Sequence, residues 1–196
     1  MNFPNRFPQY GVMETGATCD DVDTERLSDG LVLRESACRP ALFREIFVRH
    51  HRAVWRFLAR RYDGSLAEEI TAATFAEAFR ARARFDPARA DARPWLMGIA
   101  VNLARAHRRR EHAQLRLSAR GHGGGSDDVA GRALDMRSAL AAALLSLAER
   151  DRETPLLYAL ADLSYAEIAE ATGVPGGTVR SRLNRARRIV KEAIER

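Results

Sequence analysis

Apolar residues recur three and four positions apart through most of the chain after Leu27, and nowhere alternate with polar ones in the two-residue rhythm of a strand. Between Pro40 and Tyr62, Leu42, Ile46, Phe47, Val54, Trp55 and Leu58 mark one apolar stripe and predict a first long helix. Gly64-Ser65 interrupts it, and residues 66–85 predict a second helix with Ser65 as its cap. The polar stretch "DPARADARP" reads as a loop. Pro94 then opens a third helix whose inward positions are expected to be Trp95, Ile99, Leu103 and Ala106. Trp95 is accordingly assigned to the core rather than to a stacking role.

A different grammar governs Leu163 to Arg188. Ser164 and Glu167 spell an S-x-x-E capping box, so a helix is expected from Tyr165. Ile168, Ala169 and Thr172 continue it, and Gly173 suits the left-handed conformation that ends a helix. Pro175 is tolerated in the first turn of the next helix, where Val179, Leu183, Ala186 and Val190 make one apolar face. Two short helices around a glycine turn form a helix-turn-helix. With that face inward, Arg180, Ser181, Asn184, Arg187 and Arg188 project outward, flanked by Arg182 and Arg185. Residues 176–196 hold seven Lys/Arg against two Glu. Arginine forks read guanine edges or clamp phosphates, and asparagine pairs with adenine. A merely solvated helix face requires no such coincidence of cap, glycine, proline and basic surface, so a groove-reading helix is the better account.

Composition supports this and narrows the rest. The 196 residues are 46% hydrophobic and 30% charged, a globular balance with net charge +6 and pI near 10.1. Residues 1–26 lack helical periodicity and read as a mobile extension; acids dominate the first 30 residues, so the positive excess lies further along. After Glu111 the stretch "SARGHGGGSDD" reads as linker, not as a phosphate-cradling loop, because no Lys-Ser/Thr follows and no strand precedes. The expected organisation is all-α: an extension (1–26), a helical domain (27–112), a flexible linker (113–132) and a second helical domain with the helix-turn-helix (133–196). No secretory signal is visible, and the longest apolar run, "ALAAALLSLA", is about half a membrane span. Cys19 and Cys38 have no metal-ligand spacing and read as reduced thiols of a cytoplasmic protein without membrane insertion. His50-His51 and Glu68-Glu69 are adjacent pairs that diverge on a helix, and His107 and His112 sit among arginines. No catalytic residue, metal site or cofactor is therefore expected.

With these parts assembled, the chain from about Leu27 to Glu192 resembles a bacterial RNA polymerase sigma factor of the extracytoplasmic-function (ECF) group. "HHRAVWRFLARR" and "PWLMGIAVNLARAHRRR" resemble stretches of the family's region 2, and "LSYAEIAEATGVPGGTVRSRLNRAR" resembles its region 4, in that order around a variable linker. The resemblance implies a protein that binds core RNA polymerase, recognises minus-35 and minus-10 promoter elements and promotes DNA melting. By position, minus-35 contacts fall on Thr178, Arg180, Ser181, Arg182, Asn184, Arg185 and Arg187. Minus-10 contacts fall on the loop with Asp86, Arg89, Asp91 and Arg93, on Asn102, and on a phosphate track of Arg105, Arg108, Arg109 and Arg110. Core polymerase contacts fall on Glu69, Thr71, Phe75 and Phe79, with Ala72 and Ala73 standing where the family often has Gln and Glu. The resemblance further implies an anti-sigma partner. Thr154-Pro155 departs from the family pattern and is read as cap and first turn, so that its helix starts late. A stand-alone helix-turn-helix regulator of duplex DNA is the competing reading; a second basic helix in the first domain speaks against it.

Overall fold

The computed structural model describes residues 27–121 and 146–194, which form seven α-helices and contain no strand. In the N-terminal half, α1 (Asp29–Glu35), α2 (Phe43–Ala59), α3 (Gly64–Ala81) and α4 (Arg93–Gly121) pack around one core. In the C-terminal half, α5 (Glu149–Ala161), α6 (Tyr165–Thr172) and α7 (Gly176–Ile194) pack on one another, and their buried residues join those of the first half in one continuous apolar cluster.

The elements start and stop where local chemistry permits, with informative exceptions. α3 is capped by Asp63, whose side chain accepts from the Leu66 N–H at 3.0 Å, so Ser65 lies inside the helix instead of capping it. Both residues are good caps; Asp63 adopts the extended backbone a cap requires. On α2 the buried face is Phe43, Ile46, His50, Val54, Phe57 and Leu58, which leaves Phe47 41% exposed. α4 is rotated from its expected facing: Leu96, Met97, Ala100, Val101 and Ala104 are buried, whereas Trp95, Ile99, Leu103 and Ala106 are only partly covered. Trp95 packs on Phe85, ring centroids 5.0 Å apart. Small residues at the buried positions let α4 approach its neighbours closely.

Two expected boundaries move. α4 continues to Gly121, past the start of the linker expected at 113–132; the remainder of that stretch, like residues 1–26, lies outside the described residues. Residues 113–120 contain no proline or glycine to stop it. α5 starts at Glu149, not at Pro155, and carries the proline in its interior. Its first two turns are held from outside: Asp151 pairs with Arg182 and Arg185, and buried Glu153 pairs with Arg61 and Arg108. Those ion pairs offset the backbone bond that Pro155 cannot donate.

The halves meet along α4 and α6. Gly98 lies against the Ala171 backbone so closely that a Cβ there would overlap the Ala171 carbonyl. Arg61 and Arg108 reach Glu153 Oε1 at 2.8 and 3.3 Å across the same seam.

Candidate nucleic-acid interface

The helix-turn-helix follows its sequence closely. Ser164 Oγ accepts from the Glu167 N–H and the Glu167 carboxylate accepts from the Ser164 N–H, a complete capping box. Gly173 ends α6 at φ 67°, a left-handed conformation that costs a glycine little. Pro175 stands one residue ahead of α7 instead of within its first turn, and its carbonyl accepts from the Thr178 and Val179 N–H groups at 2.8 and 3.1 Å. Val179, Leu183 and Ala186 are buried against the domain core. Arg180, Ser181, Asn184, Arg187 and Arg188 are thereby left exposed on one broad basic face, with Thr178 half-buried at its start.

Two flanking arginines differ from the others. The Asp151 carboxylate accepts from Arg182 through one oxygen and from Arg185 through the other, both at 2.9 Å. Arg182 is 15% exposed and ties α7 to α5, whereas Arg185 keeps 57% of its side chain at the surface. Arg187 donates to the Tyr165 hydroxyl at 2.8 Å and lies over the Tyr158 ring, which fixes its direction without burying it.

The second surface is the loop before α4. Residues 86–91 are all exposed, and two aspartates shape them from within. Asp86 Oδ1 accepts from the Ala88 N–H at 3.0 Å, and Asp91 Oδ1 accepts from the Arg93 N–H at 2.7 Å. Along α4, Asn102, Arg105 and Arg109 follow on one side of the helix, Asn102 and Arg109 exposed and Arg105 half-buried. Arg89, Arg93 and Arg108 instead reach the C-terminal half: Arg89 pairs with Glu170, Arg93 donates to the Ala161 and Asp162 carbonyls, and Arg108 meets Glu153.

The α3 surface departs from its expected membership. Glu69 is exposed, but Thr71 and Phe75 are 2% and 5% exposed, and Thr71 Oγ1 donates to the Ala67 carbonyl. These two shape the helix from beneath and do not form its surface. Phe79 is half-buried under the Arg82 guanidinium, 3.9 Å from its ring centroid. The outward positions are Glu68, Glu69, Ala72, Ala73, Ala76 and Glu77. Beside them Phe47 and Val48, 41% and 60% exposed, add an apolar edge that a stripe including Phe47 concealed.

A group that sequence reasoning missed lies under the loop. Asp29 is buried and accepts from His50 Nε2 at 2.6 Å, from Arg49 at 2.9 Å and from the Ala92 N–H at 2.8 Å. Burial alone would raise its carboxyl pKa; the bonds from His50 and Ala92, the His50 charge and the Arg49 bond outweigh it and hold it at about 2. A single aspartate at a helix start carries no sequence signal of such a role. Among the described residues no helix is long and apolar enough to cross a membrane.

Comparison with known proteins identifies the family. Residues 46–114 match the family model for Sigma-70 region 2, and residues 137–190 match that for Sigma-70, region 4. The chain is 37% identical to the ECF RNA polymerase sigma factor SigC of Mycobacterium tuberculosis over 136 residues, 68% of this chain and 73% of that one. It is 34% identical to the RNA polymerase sigma factor CarQ of Myxococcus xanthus over 162 residues, 78% of this chain and 88% of that one. Its fold is similar to that of CnrH, solved with the cytosolic domain of CnrY, with TM-score 0.61, 24% identity and coverage of 85% of this chain and 97% of that one. It is likewise similar to sigma factor RpoE of Bartonella quintana, solved with the anti-sigma factor NepR, with TM-score 0.61, 23% identity and coverage of 78% and 96%. A region 2 match in the first half disfavours the stand-alone regulator. The chain belongs to the extracytoplasmic-function group of RNA polymerase sigma factors, which bind core polymerase and recognise promoter DNA.

Proposed function

We propose that the two surfaces divide promoter recognition between them and that the N-terminal one also promotes melting. α7 reads the minus-35 element in duplex form. Arg180, Ser181 and Asn184 face base edges, and Arg185, Arg187 and Thr178 hold phosphates. Arg182 supports the reader through Asp151. The loop Asp86–Arg93 and Asn102 receive the opened nontemplate strand of the minus-10 element, and Arg105 and Arg109 track its backbone. The exposed strip of α3 around Glu69, with its alanines at 72 and 73 and the apolar edge of Phe47 and Val48, docks on core polymerase. The observation that carries this reading is the exposed Arg180, Ser181, Asn184 and Arg187 set on a helix aimed by the Ser164–Glu167 box and the Gly173 turn.

The likeness to RpoE, a sigma factor solved with the anti-sigma factor NepR, supports an anti-sigma partner for this chain as well. The protein acts as an initiation factor and not as an independent catalyst, in the cytoplasm where polymerase is. Run-off transcription with purified core polymerase, with and without this chain, tests the proposal. Promoter-specific transcripts are expected only with both. Tight duplex binding by the free chain with no stimulation of core would sink it.

A further inference from the structure

Loop 86–91 buries none of its own side chains, with Pro87, Ala88 and Ala90 exposed, and only Ala92 just after it is buried. Its shape is imposed from below by α1. The Asp29 backbone N–H donates to the Ala90 carbonyl at 3.1 Å, and Asp29 Oδ2 accepts from the Ala92 N–H at 2.8 Å, so one residue grips the loop at two points. From the other side α2 holds the carboxylate: His50 Nε2 donates to Oδ2 at 2.6 Å and Arg49 to Oδ1 at 2.9 Å. Arg49 is itself steadied by Glu45 and by the Leu27 carbonyl. Gly30 completes the seat. A Cβ at this position would overlap the carbonyl oxygens of Pro87 and Arg89, so α1 and the loop backbone touch directly.

Asp29, His50 and Asp91 present ligand atoms within 4.8 Å of one another, which raises a metal ion as an alternative. Those atoms are already committed. Both Asp29 oxygens accept from protein donors, His50 Nε2 donates to Asp29, and Asp91 accepts from the Arg93 N–H. The Arg49 guanidinium beside the same carboxylate also opposes a cation. The cluster is a hydrogen-bonded latch. Burying an ionised carboxylate is costly unless its partners return the energy, and these partners include the backbone of a loop that solvent alone would leave mobile. A loop that must receive an unstacked base gains from having its backbone set beforehand.

We propose that Asp29, Gly30 and His50 are positioning residues for minus-10 recognition, holding loop 86–92 in the shape that accepts the nontemplate strand without touching DNA themselves. This rests on the assignment of that loop to the minus-10 element.

The test uses holoenzyme reconstituted with core polymerase. The probe is a library of fork-junction DNA, with an upstream duplex followed by a randomised, unpaired nontemplate strand. Bound sequences are counted to give a preference ratio, best strand over scrambled strand. Asp29→Asn and Gly30→Ala are expected to lower that ratio by about tenfold, the value of one lost base contact. Affinity for scrambled strands and for core polymerase should not change. A merely structural role would instead lower binding to all strands alike and leave the ratio unchanged, whatever the change in melting temperature. Should Asp29→Asn fail to fold, Gly30→Ala and His50→Gln carry the test, with hydrogen exchange at Ala92 reporting the latch directly. Replacing residues 88–92 by Gly-Ser separates the two ideas. If it abolishes the preference while folded latch variants keep the wild-type ratio, the latch is wrong. If it too leaves the ratio unchanged, the minus-10 assignment fails and takes the latch with it.

Discussion

Asp29 shows how much one side chain can carry, and it titrates in a way that exposes this. Its carboxyl is lowered from 3.8 to about 2 by bonds made only in the folded chain. A depressed carboxylate stabilises fully above its unfolded value and loses that contribution as pH falls through its folded one. Asp29 therefore contributes about 2 kcal/mol above roughly pH 4, lost between about pH 4 and pH 2. Urea denaturation of wild type and Asp29→Asn across that range should show two stabilities converging as the medium becomes acid; a constant gap would contradict it. The arginines of α7 separate by their settings in the same manner. Arg180 is exposed, and Arg180→Ala should cost about 1–3 kcal/mol with relaxed preference at one or two base pairs. Arg187 is aimed by Tyr165 and Tyr158, and Arg187→Ala should weaken all duplexes alike and reduce the salt dependence. Binding titrations at several salt concentrations on cognate and scrambled minus-35 duplexes distinguish the two.

Among the helices, α5 is the one whose local sequence and final structure disagree. Pro155 sits in its interior and leaves the Asp151 carbonyl without its intrahelical partner. The helix persists because Asp151 and Glu153, on the turn before, are clamped by Arg182, Arg185, Arg61 and Arg108. Pro155→Ala should accordingly stabilise the protein by about 1–2 kcal/mol. The restored bond outweighs the chain entropy that proline saves in the unfolded state. Thermal or urea unfolding measures it, and an unchanged or lower midpoint would show that the proline shape itself is used. α6 and α7 present the opposite case. The capping box, the left-handed glycine and the apolar step of four and three at their junction all agree with the fold, and only Pro175 falls one residue outside its expected place.

Across the whole protein, the seam between the halves is where one residue sets the separation of two domains. Gly98 permits α4 to meet the Ala171 backbone, and around it Arg89, Arg93 and Arg108 bond to the C-terminal half. In this packing the Arg93 guanidinium faces the carbonyls of Ala161 and Asp162, not solvent on the loop side. Gly98→Ala should force the halves apart while leaving the helices of each half intact. Small-angle scattering should then report a larger radius of gyration at unchanged helical circular dichroism. An unaltered radius would mean that the seam accommodates a methyl group.

Local sequence was sufficient wherever the determining interactions lie within a few residues. The all-helical class, the Ser164–Glu167 box, the Gly173 turn and the outward set Arg180, Ser181, Asn184 and Arg187 all follow from caps and a 3.6-residue period, which no distant contact altered. Tertiary packing decided what periodicity leaves ambiguous. On α4 a helix rich in apolar residues has more than one possible inward face, and the fit of Leu96, Met97, Ala100 and Ala104 against neighbouring helices chose among them. On α3 the same selection drew Thr71 and Phe75 into the core and left Glu69 outside. The buried grip of Asp29 on Ala92 joins residues 63 positions apart, and Arg61 meets Glu153 across 92. Polar contacts at such separation leave no period, spacing or composition to detect, because their partners are chosen only when the chain has folded.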